Sequence, residues 1–212
     1  NISLQYTLSC AMLVFVMKVL FMARRFPPSI GGMQKFAYDL SQALASQDIK
    51  LTKITWGGSS RLTLPIILPW LFLRGLWKLW TDRSIEVIHM QDAVLSPLGW
   101  LLSKLSGKPW VVVAHGLDLT FKLQFYQKVN LFFARRCKAM IAISQATAEE
   151  AEKRGIESAK VTVIAFPTTA TEPTFVNPVL CKTTEIPRLP FTAAVKVRSE
   201  LLKSTIFLNC FV

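Results

Sequence analysis

The sequence predicts an α/β fold built on a doubly wound parallel sheet, and three observations carry that prediction. Short apolar runs alternate with amphipathic segments along the chain, the pattern of repeated βα units. The runs themselves, such as Trp110-Val111-Val112-Val113-Ala114, are continuous rather than alternating, as strands covered on both faces should be. The 212 residues are 51% hydrophobic and 18% charged, a composition that supports a sizeable core and argues against disorder.

Strands are expected at 17 to 23, 50 to 56, 85 to 90, 109 to 114, 138 to 143 and 160 to 165. After the first of them, Phe36, Ala37, Leu40, Ala43 and Leu44 fall on one helical face. Val94, Leu95, Leu98, Leu101, Leu102 and Leu105 repeat that template more strongly, and Gly107 is placed to end their helix. Ser144 is a cap for the next helix, with Glu149 and Glu150 early in it and Lys153, Arg154 and Gly155 at its end, matching the helix dipole. Three parts are expected: an upstream segment at 1–16, a doubly wound domain at 17–175, and an irregular tail at 176–212 containing Pro178, Pro187 and Pro190. The tail is too short for a second domain of the same size.

The segment from Leu62 to Trp80 is apolar nearly all round. Ile66, Trp70, Leu73, Trp77 and Trp80 form one stripe, and Arg74 and Lys78 interrupt the apolar surface one turn apart. Pro65 and Pro69 are expected to confine a regular helix to Pro69 onward. Indole and cationic side chains on an apolar helix suit the surface of an anionic membrane, and packing against the sheet is the competing reading. Residues 7 to 23 are also apolar, but Lys18 interrupts them and the run is shorter than the roughly 20 residues of a membrane span.

Lys and Arg total 25 against 13 for Asp and Glu, a formal charge of +12 that predicts an anionic partner. Nucleic acid is disfavoured, because no basic run interleaved with aromatics and no zinc-finger spacing occurs. Cys10, Cys137, Cys181 and Cys210 are far apart with no C-x-x-C pair, which predicts reduced thiols in a cytoplasmic protein. The fingerprint G-x-G-x-x-G, the P-loop and G-x-S-x-G are all missing, and no His, Cys and carboxylate cluster suggests a metal.

What remains is a set of turns at one edge of the sheet. The first strand leads through Arg24-Arg25-Phe26-Pro27-Pro28-Ser29-Ile30 to Gly31-Gly32, and a helix starts at once, which is where anions meet main-chain N–H groups in open α/β sheets. The two histidines, His89 and His115, are both expected just past strands. His115 followed by Gly116 is the better placed, because the glycine lets the chain turn sharply and bring the imidazole to a cleft. Asp92 and Asp118 suit sugar hydroxyls as acceptors and suit loop caps equally well.

The chain resembles the amino-terminal domain of GT-B-fold retaining glycosyltransferases of family four, from Met17 to about Phe175. The likeness rests on Met-Lys-Val-Leu-Phe with Phe-Pro-Pro-Ser-Ile-Gly-Gly-Met-Gln, on Ile85 to His89, on Gly107 to Asp118, on Cys137 to Ser144 and on Val161 to Ile164. It implies a Rossmann-like fold and transfer of a hexose from a nucleotide-sugar, with retention and without a cofactor or catalytic metal. It also implies that Gly31 and Gly32 face the donor phosphates and sugar, that His115 lies beside the transferred sugar, and that Asp118 and Ser144 line the cleft; the turns place Gly116 on the donor side and His89 and Asp92 among the cleft-lining residues.

Members of the group carry a second Rossmann-like domain with a Glu-containing nucleotide motif, which nothing here matches, and their Pro-Asn-Gly-Val-Asp junction is replaced by Pro167-Thr168-Thr169-Ala170-Thr171. The expectation is therefore half an active site, inactive alone, on a cytoplasmic protein peripheral to the membrane and serving a sugar or lipid-linked acceptor. A non-catalytic membrane-surface or partner-binding module is the rival reading, and another nucleotide-using α/β enzyme is the third.

Overall fold

The computed structural model describes residues 17–47, 49–58, 63–120 and 124–164. The expected segment at 1–16, the tail at 176–212 and the junction at 167–171 lie outside the described residues.

Among the described residues six strands form one sheet: β1 (Lys18–Ala23), β2 (Lys50–Thr55), β3 (Val87–Met90), β4 (Trp110–Ala114), β5 (Ala139–Ala142) and β6 (Val161–Val163). Every pairing is parallel, in the order β2-β1-β3-β4-β5-β6. Each expected run is a strand, shorter by one or more residues. β1 and β3 are neighbours although β2 lies between them in sequence, so the winding direction reverses there. Ligands of open α/β sheets sit outside the strand carboxyl ends at such a reversal.

Among the described residues six α-helices cover the sheet: α1 (Gly32–Ala45), α2 (Leu64–Thr81), α3 (Ser96–Ser106), α4 (Gly116–Thr120), α5 (Gln124–Ala134) and α6 (Gln145–Lys153). Successive strand side chains point to opposite faces. Val19, Phe21 and Ala23 thus pack with Val87, Val111, Val113 and Ile141 against Ala37, Leu40 and Leu44 of α1. On the opposite face Leu20 and Met22 join Ile88, Met90, Val112 and Met140 under Ile67, Leu71 and Leu79 of α2 and Leu102 of α3. Burying side chains of this kind contributes about 1.5–3 kcal/mol each before entropy is counted.

Three helices differ from expectation. α2 starts at Leu64, not Pro69, with Pro65 in its first turn and Pro69 one turn further in. Pro65 is tolerated because first-turn N–H groups have no partner in the helix, and Pro69 costs one hydrogen bond on the solvent side, where both rings are exposed. In α3 the buried face is Ser96, Gly99 and Leu102, while Leu101 and Leu105 are exposed. A Cβ on Gly99 would stand 2.5 Å from the Trp110 ring, so the glycine lets α3 approach β4 and turns two of the leucines outward. Gly107 ends α3 in the left-handed conformation at φ 70°, as the sequence predicts. In α6 the Ser144 hydroxyl accepts from the Thr147 N–H (3.2 Å), the expected cap. Glu149 and Glu150 lie beyond the first turn, however, and Glu150 pairs with Arg154 (2.6 Å) instead of meeting the dipole.

Candidate functional site

At the reversal between β1 and β3 the carboxyl ends of three strands come together. Arg24 and Arg25 follow β1, Gln91 and Asp92 follow β3, and His115 follows β4. With Met33 of α1 these residues line one shallow depression. The convergence of turns expected along this sheet edge is therefore real for the loops after β1, β3 and β4.

The depression has a charged floor. Arg24 Nε stands 2.5 Å from Asp92 Oδ2, and both side chains are about nine-tenths buried or more. Asp92 also opens the turn after β3, where its Oδ1 accepts from the Val94 N–H (2.9 Å). The carboxylate is thus held by its bond from Val94 and lies against the guanidinium as a buried ion pair. Arg25 reaches across the loop, its Nη1 at 3.5 Å from the Met33 sulfur.

Gln91 ties the two histidines together. Its side-chain oxygen accepts from His89 Nε2 (3.1 Å), and its main-chain oxygen accepts from His115 Nε2 (3.1 Å). His115 is 6% exposed with Phe36 edge-on to its ring at 5.4 Å, and burial lowers its pKa, so it is a neutral imidazole. With Nε2–H committed to Gln91, Nδ1 is the acceptor of that ring.

His89 does not sit past its strand and does not line the depression. It is inside β3, fully buried and stacked on Phe21 with ring centroids 4.9 Å apart. Burial pushes its pKa down to about 4. The strand expected at 85 to 90 already contains His89, and its pairing opposite Phe21 keeps the imidazole inside the sheet instead of at the edge beyond Met90.

Asp118, on α4, is half-buried, and its main-chain N–H donates to the His115 carbonyl (2.9 Å). Burial first, and the Asp92 charge second, push its carboxyl up to about 7. Near neutrality Asp118 is thus a carboxyl able to donate as well as accept. Ser144 is half-buried and committed to the α6 cap.

The glycine loop opens α1. Gly31 precedes the helix and no side chain caps its first turn, so the leading N–H groups are free of a protein cap. A Cβ at Gly32 would meet no atom within 4 Å, whereas at Gly31, with φ at 157°, it would meet the Gln34 side chain at 2.5 Å. Gly32 thus faces open space, and Gln34 folds back beneath Gly31. Gly116 has looser surroundings, the Thr147 hydroxyl lying 3.5 Å from where its Cβ would be.

Sequence reasoning missed Arg24, Arg25, Gln91 and Gln34. Adjacent arginines at the end of a buried strand were a visible signal for the first two. No local signal marks Gln91, whose role comes from joining two strands. Among the described residues no three His, Cys, Asp or Glu side chains are grouped as a metal site.

A family model for glycosyltransferase family 4 matches residues 30–166. The chain belongs to glycosyltransferase family 4. Its described part has the Rossmann-like α/β fold of the amino-terminal domain of that family. No curated protein sequence matches it. HepE of Anabaena, solved in complex with UDP and glucose, is similar over 70% of this chain and 44% of its own, at 20% identity and a TM-score of 0.50. HepE in complex with UDP-glucose matches over 70% and 43% at the same identity and score. The lipopolysaccharide outer core galactosyltransferase WaaB, in its apo form, matches over 72% of this chain and 46% of its own at 16% identity and a TM-score of 0.47. This chain of glycosyltransferase family 4 spans less than half the length of each of these proteins.

Proposed function

We propose that this chain supplies the acceptor-facing half of a retaining hexosyltransferase that takes its sugar from a nucleotide-sugar. The observation that carries the reading is the meeting of an uncapped α1 amino end, two arginines and a neutral His115 at the reversal of a family 4 sheet. The solved HepE complexes, with UDP and glucose or with UDP-glucose, support a nucleotide-sugar as donor.

In this reading the C1–O bond to the donor diphosphate breaks, a bond from the acceptor oxygen to C1 forms on the same face, and the acceptor proton passes to the departing phosphate. Negative charge grows on that phosphate, and preorganised N–H donors at Gly31 and Gly32 are placed to stabilise it. Arg24 and Arg25 raise the positive potential nearby. His115 Nδ1 and the main chain at Gly116 orient sugar hydroxyls. Asp92 and a protonated Asp118 offer further hydrogen bonds to hydroxyls, and Ser144 borders the same edge. No cofactor or metal is required in this scheme, and sugar or lipid-linked hydroxyls are the acceptors.

Much of the donor is held by a second domain in this proposal, and the 212 residues, which span less than half the length of HepE, are expected not to transfer sugar unaided. The test is transfer of labelled sugar from a panel of nucleotide-sugars, by the chain alone and by the chain fused to a family 4 donor domain. The fusion is expected to transfer sugar, and His115→Ala in the fusion to lower the rate at least about a hundredfold. Transfer by the unfused chain contradicts the half-site reading. Transfer by the fusion that is indifferent to His115→Ala removes His115 from the site.

A further inference from the structure

Three helices on one face of the sheet form an outer layer with an unusual surface. α3 packs against both α2 and α5, and the Trp100 and Phe133 rings, with centroids 5.2 Å apart, join α3 to α5. Leu73, Trp77 and Trp80 of α2, Leu101 and Leu105 of α3 and Phe132 of α5 are all exposed, the two indoles by 67% and 62%. The stripe foreseen on α2 therefore points to solvent, with one exception. Trp70 is half-buried, packed edge-on against Trp56 at 5.6 Å, with the Arg74 guanidinium 5.1 Å from its ring.

The charge on this layer has a single sign. None of the three helices contains an Asp or a Glu, and they carry Arg74, Lys78, Lys104 and Lys128. Asp82 and Glu86, the carboxylates that follow α2, are both tied to β1: Asp82 pairs with Lys18, and Glu86 accepts from the Lys18 main-chain N–H. α6, a helix of nine residues outside this layer, carries Glu149, Glu150 and Glu152.

We infer that the α2–α3–α5 layer is a docking surface for an anionic phospholipid bilayer. Exposed indoles seat at headgroup level, leucine and phenylalanine enter the acyl boundary, and lysine and arginine reach lipid phosphates on long apolar stems. Each cation near such a surface strengthens binding severalfold. A second copy of this chain would set cation against cation, and a protein partner fits poorly because lysine is depleted from protein interfaces. Among the described residues no helix is long and apolar enough to cross a membrane, so the layer lies on the bilayer rather than in it. The inference stands on these three helices and does not depend on the transfer chemistry proposed above.

Flotation of the 212-residue chain with vesicles tests it, using phosphatidylcholine alone and phosphatidylcholine with about a third phosphatidylglycerol. The chain is expected to float with the anionic vesicles and not with the neutral ones. Trp77→Ser with Trp80→Ser, and separately Arg74→Glu with Lys78→Glu, should each weaken binding at least about tenfold. Tyr38→Ser, which removes an exposed aromatic from α1, should leave it unchanged. Because all the substituted side chains but Lys78 are exposed, unchanged circular dichroism is expected to certify the fold. Absence of flotation, equal flotation with neutral vesicles, or binding indifferent to both pairs of substitutions overturns the proposal. So does a concentration-dependent dimer that Trp77→Ser with Trp80→Ser dissolves, because the layer would then be covered by a second copy.

Discussion

The edge of the sheet at the β1–β3 reversal and the outer layer of α2, α3 and α5 break the usual inside-outside rule in opposite directions. The first buries ionised groups, with Arg24 and Asp92 paired at 2.5 Å. The second exposes large apolar groups, with Trp77 and Trp80 each more than 60% in solvent. Buried charge and exposed apolar area are the two departures that carry information about function, because stability alone favours neither. On the two proposals above, the contrast separates two surfaces of different chemistry, one suited to polar groups and one to an apolar boundary.

The largest expected effect breaks the first surface. Asp92→Ala strips Arg24 of its counter-ion while leaving the guanidinium buried, and should cost about 3–5 kcal/mol in urea unfolding. Adding Arg24→Met should restore most of that loss, since a matched apolar pair costs little once neither charge remains. Failure of the second substitution to rescue would mean that Asp92 acts through its cap on Val94, not through Arg24.

A somewhat smaller effect separates the two titrating groups near the same edge. His89 has its folded pKa lowered from 6.5 to about 4, so the unfolded chain takes the proton first. Its contribution is present above pH 6.5 and is lost as pH falls toward 4, on the order of 3 kcal/mol in all. Asp118 has its folded pKa raised from 3.8 to about 7, so the folded chain keeps a proton that the unfolded chain has released. Its contribution is present below 3.8 and is lost as pH rises toward 7. The two slopes oppose each other over the shared window. His89→Gln should leave stability falling with pH there, and Asp118→Asn should leave it rising, as measured by urea midpoints across that range.

The smallest effect sharpens the second surface. Trp77→Ser with Trp80→Ser should change stability by about 0.5 kcal/mol or less, because neither ring is buried on folding. A large loss in thermal unfolding would show that the indoles are structural.

The difference between the surfaces also explains what the sequence discloses. Strand positions are legible because continuous runs such as Trp110 to Ala114 have one comfortable place, a strand buried on both faces. The Gly107 and Ser144 caps are legible because their geometry is local. The Arg24–Asp92 pair is not, since its partners lie 68 residues apart and meet only because β3 crosses to the far side of β1. Leu101 and Leu105 mislead because Gly99, absent from the apolar count, is what seats α3 on Trp110. His89 is misplaced for a different reason: it lies inside the expected strand, not past it, and the ring of Phe21 on the neighbouring strand takes up the imidazole.

The assignment of the β1–β3 edge as the acceptor-facing half of a transferase site is open to a direct test. Backbone amide chemical shifts of the labelled 212-residue chain, followed while a nucleotide-sugar such as UDP-glucose is added, test it most directly. Weak binding is expected, with a Kd above about 0.1 mM, and with shifts confined to Gly31, Gly32, His115, Gly116 and their neighbours. Tight binding, or shifts elsewhere on the sheet with those amides unmoved, would contradict it.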